Sequence, residues 1–332
     1  MKADDILLKH AIMHILDSDS SSLVLSEQEM ELTPDVFDFL RIHIEKVTQS
    51  DECRRRCNFD PASPMLPLIS GANAENFVET SRRMAGQLYE IMKDSTIPAA
   101  DIIIVVFSVE STDYMGLLKL NYKSSMTHRC EDGLIRLGSQ KGLLPPSSTR
   151  LSEAFIVNLE TGDIQMCEKP YEVCGTKTNY LSTLYLQCHT KPSEKRKLAA
   201  VDKAVEQVAK KHYGEEAPRE KMEIRRVLCE ELSKPEGMKV ADIPTKLFPD
   251  SPAMQEEVKE KLEEVSLTQA VIAPQAANTV KKYKSQRLVT DSGIEVKIPM
   301  EAYEDASRFE LIYNPDGSRS ILIKNITKLT TK

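Results

Sequence analysis

Ile102-Ile103-Ile104-Val105-Val106-Phe107 is an almost continuous apolar run, followed by the polar stretch Glu110-Ser111-Thr112-Asp113 and a second apolar run from Met115 to Tyr122. Two such runs joined by a short polar turn predict an antiparallel hairpin in the core of a sheet. Upstream, Phe77, Met84, Leu88 and Ile91 have helical spacing over residues 73–93. Residues 50–70, with Pro61, Pro64 and Pro67, read as loop-rich. Thr33-Pro34 opens a helix with the apolar face Val36, Phe37, Leu40, Ile44 and Val47, because proline at the first helical position gives up a donor that would go unpaired anyway. Before it stand a short strand, Leu23-Val24-Leu25, and a short apolar segment at residues 6–16.

Downstream, residues 124–150 carry three glycines and Pro145-Pro146 and read as an irregular, mobile surface segment. Phe155 to Leu159 and Ile164 to Cys167 flank the turn Glu160-Thr161-Gly162-Asp163 and form another hairpin, and residues 180–187 read as a further strand. The period changes at Pro192-Ser193. Residues 193–213 are helical, with Gly214 where a C-terminal capping glycine belongs. Residues 218–233 and 251–265 read as two acidic, proline-flanked helices around a short segment holding Val240, Ile243 and Leu247. The tail returns to strand period at 287–289, 293–298, 309–313 and 320–323, with the turn Asn314-Pro315-Asp316-Gly317 between the last two.

The pattern predicts an α+β fold: an N-terminal antiparallel-sheet domain with helices over 1–190, then at 191–330 a helical region followed by a small β-rich C-terminal unit. A length of 332 residues suits two domains, since single cores stop growing near about 250–300 residues. No apolar run is long enough for a signal peptide or a membrane span, and the seven cysteines are unevenly spaced. Both facts point to the cytoplasm and to reduced thiols.

The net charge of −7 argues against a protein that simply coats DNA, because phosphate contacts demand positive charge. The charge is uneven, however. Residues 1–50 hold ten acids against four bases, and residues 214–266 fourteen against nine, whereas residues 177–213 hold eight bases against three acids and residues 274–290 four bases and no acid. Local blocks therefore say more than the total.

Within the 193–213 helix, Leu198, Val201, Val205 and Val208 form one apolar stripe, and Arg196, Lys203 and Lys210, seven apart, lie opposite it at about 100° per residue. Lys191, Lys195 and Lys197 cluster at its start, Lys211 and His212 at its end, and Asp202 and Glu206 on one flank. This face suits phosphate contact without sequence reading, and equally suits an ordinary solvated face; spacing alone favours the second. The cations at the helix N-terminus oppose the macrodipole. A second basic stretch, Lys281-Lys282-Tyr283-Lys284 with Arg287, offers a tyrosine that could stack on a base or ribose, or a charged linker, which the pattern favours.

Chemistry-bearing motifs fail one by one. Cys167, Cys174, Cys188 and His189 match no common zinc spacing, and Cys53-x-x-x-Cys57 has no second pair. His10 and His14 have a metal pair's helical spacing but no third ligand, and read better as buried or partly buried histidines. There is no Walker loop, GxGxxG, HExxH or GxSxG, and no carboxylate pair stands out, so no enzyme, cofactor or metal is expected.

The order of features resembles the bacterial 37-kDa nucleoid-associated protein family over essentially the whole chain. The resemblance rests on Ile6-Leu-Leu-Lys-His10-Ala-Ile-Met-His14-Ile-Leu16, on the paired strands running into Asn121-Tyr-Lys-Ser-Ser125-Met126, on Tyr180-Leu-Ser-Thr-Leu-Tyr185-Leu before the basic helix, and on Phe309-Glu-Leu-Ile-Tyr313-Asn-Pro315-Asp-Gly317. It implies association with the nucleoid, no known cofactor, and contact with DNA-handling enzymes such as a type II topoisomerase. It supplies no catalytic residues. The loop at 132–150 departs from the family's pattern. A sequence-nonspecific duplex-binding protein is the leading expectation, with Lys191, Lys195, Arg196, Lys197, Lys203, Lys210, Lys211, Lys281, Lys282, Lys284 and Arg287 as candidate contacts. A protein-interaction module that reaches the nucleoid indirectly is the alternative. Short edge strands leave monomer and homodimer both open.

Overall fold

A computed structural model describes residues 1–18, 20–93, 95–131, 133–214 and 217–328. The chain divides into two compact units, Met1–Ser193 and Glu194–Lys332.

The first unit opens with strands β1 (Leu7–Asp17) and β2 (Ser22–Leu25), then helix α1 (Pro34–Thr48), β3 (Arg54–Phe59), and helices α2 (Met65–Ser70) and α3 (Phe77–Lys93). The central hairpin is β4 (Ala100–Val109) and β5 (Thr112–Asn121), followed by β6 (Lys123–Glu131), β7 (Leu134–Leu143), β8 (Ala154–Asn158), β9 (Ile164–Cys167), β10 (Tyr171–Val173), β11 (Thr176–Thr178) and β12 (Cys188–His189). Eight strands form one antiparallel sheet in the order β12-β3-β9-β8-β5-β4-β1-β2.

Both faces of this sheet are covered, which explains the unbroken apolar run in β4. Ile102 and Ile104 point to the side packed by Met65 and Ile69 of α2 and Met84 and Leu88 of α3. Ile103, Val105 and Phe107 point to the side packed by Leu40, Ile44 and Val47 of α1. Alternation vanishes from a strand when neither face meets water. Gly116 of β5 sits where a Cβ would come within 3.2 Å of Val105 and 3.4 Å of Ile156.

Several expectations for this unit are corrected. Residues 50–70 hold a strand and a helix despite three prolines. Pro67 falls in the first turn of α2, where its missing donor would have gone unpaired anyway. The segment at 180–187 is no strand: Leu181–Tyr185 form a π-helical turn. Leu181, Ser182, Tyr185 and Leu186 are buried and Thr183 and Leu184 exposed, a helical spacing that β-favouring residue types disguised. The segment at 124–150 is largely ordered as the β6–β7 ribbon. Cys53 and Cys167 are brought side by side, close enough to be joined as a disulfide. The register Arg54↔Met166 places the two cysteines opposite one another at the next position, with Cα atoms 4.3 Å apart.

The second unit begins with α4 (Glu194–Tyr213) and α5 (Pro218–Leu232), then β13 (Met238–Lys239), α6 (Ile243–Leu247), α7 (Pro252–Glu264), β14 (Val271–Ile272) and α8 (Ala277–Lys281). Two hairpins follow, β15 (Ser285–Val289) with β16 (Glu295–Pro299), and, after α9 (Met300–Tyr303), β17 (Phe309–Tyr313) with β18 (Arg319–Ile323). Leu198, Val201, Val205 and Val208 of α4 pack with Leu228, Ile243, Val258 and Leu262 in one core. Met222, Ile298 and Phe309 form a smaller core beneath the hairpins. Gly214 ends α4 at φ +83°, and its amide donates to the Lys210 carbonyl at 3.0 Å.

Candidate nucleic-acid interface

α4 carries the densest set of candidate bases. Its apolar seam is buried, so the opposite arc faces outward. Arg196, Lys203 and Lys210 run along that arc, all exposed, and within about 20° of one line by helix geometry. Ala199, Ala200 and Gln207 lie between them. Glu206 is the acid on the same arc, and Lys195 and Lys211 flank it, both exposed.

Neighbouring carboxylates temper the ends of this row. The Lys197 ammonium donates to Glu194 at 2.7 Å and is half-buried. Glu194, in the first turn, also accepts from the Ala273 amide at 2.9 Å and offsets the cations that crowd the positive end of the helix dipole. At the other end, Lys211 and His212 meet Glu257 of α7 at 2.8 and 3.0 Å. The Lys211 hydrogen bond, aided by His212, holds the Glu257 carboxyl below its usual range.

The second basic stretch is folded onto α4 rather than strung out as a linker. Tyr283 is 2% exposed, part of the core of this unit, and its hydroxyl donates to Asp202 of α4. A ring so buried cannot stack on a nucleic-acid base, which corrects that expectation. The Arg225 guanidinium of α5 lies 5.1 Å and the Lys282 ammonium 5.7 Å from the ring centroid. Arg225 also donates to the Lys282 carbonyl at 3.2 Å and to Gln286 at 3.0 Å. Burial raises the Asp202 carboxyl above its usual range, opposed by the Tyr283 hydrogen bond and by Lys282 and Arg225. Lys282 therefore stands beside the α4 flank together with Arg225, a base the charge count over 274–290 could not reach. Lys281 and Lys284 are exposed on the same segment, whereas Arg287 pairs with Glu295 across the β15–β16 hairpin. Lys191 is exposed in the first unit, after β12.

The buried carboxylates Glu153 and Glu168 of the first unit sit in closed clusters. Glu153 is fully buried; it accepts from Tyr180, from Asn121 at 2.7 Å and from Tyr171 at 3.0 Å, and lies 3.4 Å from the Lys119 ammonium. Lys119 also donates to Asn121 and to the Pro98 carbonyl. Glu168 is held by Arg54 and by the Ser182 amide and hydroxyl. These cages tie strands and turns together, with every carboxylate oxygen engaged. His14 is buried too. Its Nδ1 accepts from the Ser26 amide at 3.1 Å, so Nε2 carries the proton and donates to Ser81. His10 and His14 both lie on β1, where four residues span about 13 Å, too far for one metal ion. Among the described residues no group of three His, Cys, Asp or Glu side chains could hold a metal ion.

The fold and its charge distribution define a two-unit α+β protein that displays a cationic helix face. The family model NA37, described as nucleoid-associated protein YejK, matches residues 12–330, and the chain belongs to this family of nucleoid-associated proteins. No curated protein sequence matches the chain. Among the described residues no helix is long and apolar enough to cross a membrane.

Proposed function

We propose that the chain binds duplex DNA without reading its sequence, through the outward arc of α4 and the basic segment pinned beside it, and performs no catalytic step. The observation that supports this most is the row Arg196, Lys203 and Lys210 on a helix whose opposite side is locked into a core. A rigid element holds three cations in line, so binding does not have to order them first. The expected contacts are Lys195, Arg196, Lys203 and Lys210 on the helix, with Lys281, Lys282 and Lys284 beside them. Lys197, Lys211 and Arg287, paired with carboxylates, contribute less. Lys191 is an additional contact from the first unit. On this reading the protein works in the cytoplasm, on the nucleoid.

The test is affinity for duplexes of unrelated sequence over a salt series. Affinity should fall steeply with salt and vary little with sequence. Arg196→Glu/Lys203→Glu/Lys210→Glu should abolish binding at physiological salt; unchanged affinity in this variant refutes the helix assignment. A protein that reaches the nucleoid only through a partner, such as a type II topoisomerase, would show no binding of the purified chain to any duplex at that salt.

A further inference from the structure

Among the described residues the β6–β7 ribbon pairs with no other strand, and no core lies under either of its faces. Two-stranded ribbons are marginal alone, and this one, about 30 Å long, exposes nearly every side chain. Its register sorts those side chains cleanly. One face carries Arg129 directly opposite Arg136, with Thr127 opposite Gly138, Ser125 opposite Gln140, and Leu134 beside the turn. The other carries Met126, His128, Cys130, Ile135 and Leu137.

Like charges placed directly across a ladder destabilise it. Among the described residues neither Arg129 nor Arg136 has an ion pair. Over residues 123–143 the sequence has four Lys/Arg against two acids, in a chain whose net charge is −7. A positive ribbon with a self-repelling arginine pair complements a polyanion. Its width complements a groove, since a two-stranded β-ribbon fits the major groove of a duplex.

We infer that the β6–β7 ribbon is a second nucleic-acid-contacting arm: Arg129 and Arg136 bind phosphate oxygens along a groove of a duplex, and Leu134 at the tip packs against the bases. This rests on the duplex-binding reading above but not on α4. The arginine forks suit phosphate geometry, and the short side chains of Ser125 and Thr127, with Gly138 opposite Thr127, let the face approach the backbone closely. An apolar tip residue suits contact with the thymine methyl groups that the major groove presents.

The experiment uses the full chain and a random-sequence duplex over a salt series. Arg129→Glu/Arg136→Glu should weaken binding at least tenfold and reduce the slope of log affinity against log salt by about 2, the loss of two phosphate contacts. Arg129→Lys/Arg136→Lys should keep the slope. Leu134→Ser should weaken binding without changing the slope, because an apolar contact releases no counterions. Unchanged affinity and slope in the double Glu variant, with binding lost in the α4 triple variant, overturns the arm and leaves α4 standing. Loss in the double Glu variant with none in the α4 triple variant supports the arm and removes α4. Absence of binding by the unaltered chain overturns both. If Ile135→Ser/Leu137→Ser changes the sedimentation of the protein while the double Glu variant binds normally, the ribbon is an interface between copies and the inference fails.

Discussion

At the residue scale, two buried histidines contribute to the pH response of the first unit. Burial, reinforced by Arg82 beside His14 and by Lys46 beside His43, lowers both from 6.5 to about 4. The Pro145 carbonyl faces the His43 ring without completing a hydrogen bond. The unfolded chain takes up a proton at each as pH falls through 6.5, and the folded chain resists until about 4. Their contribution to stability is therefore full above 6.5 and is lost as pH falls toward 4, by on the order of 3 kcal/mol per histidine at the bottom of that window. Urea unfolding at pH 7 and pH 5 measures this. His43→Phe, which keeps a ring against Phe39, should flatten the dependence; an unaltered slope would contradict the assignment. Glu153 offers a sharper case. Glu153→Ala strands Lys119 in the interior and should cost about 3–5 kcal/mol, read as a lowered midpoint in thermal or denaturant unfolding.

At the scale of elements, legibility followed the strength of the local period. The central hairpin was legible because two long apolar runs flank a polar turn, and α4 because its valines and leucine recur at 3 and 4. The π-turn at Leu181–Tyr185 was not, since its Thr and Tyr residues favour strands and only its burial pattern is helical. The β6–β7 ribbon was hidden by its glycines and by the want of a buried face to impose alternation. One signal was present, the Asp132-Gly133 pair between the two strands, of which Gly133 has φ +78° and Asp132 lies outside the described residues. Gly116 shows how tightly β5 is held against its neighbours. Gly116→Val should overpack the sheet and cost about 1–3 kcal/mol, measured by equilibrium unfolding. Tyr283→Phe removes the bond to Asp202 and should cost about 1 kcal/mol. Faster proteolysis of the 281–284 segment, with α4 unchanged by circular dichroism, is the expected signature.

At the scale of the whole molecule, each unit owns its core: two clusters flank the sheet of Met1–Ser193, and two lie within Glu194–Lys332. Expressed separately, each unit should melt cooperatively; a non-cooperative melt of either would show that it depends on the other. The overall charge is a poor guide to partners here, because acids and bases are segregated along the chain. What the sequence by itself determined was the type of most elements, the α+β class, the family resemblance, and the alignment of Arg196, Lys203 and Lys210 opposite an apolar seam. All of these depend on residues close in the chain or on the order of segments. Only the tertiary structure decided that Tyr283 is core, that Lys211 and Arg287 meet carboxylates, that Arg225 joins Lys282 beside α4, and that Cys53 faces Cys167 from 114 residues away. Those outcomes depend on which distant segments pack together, and a local period carries no information about that.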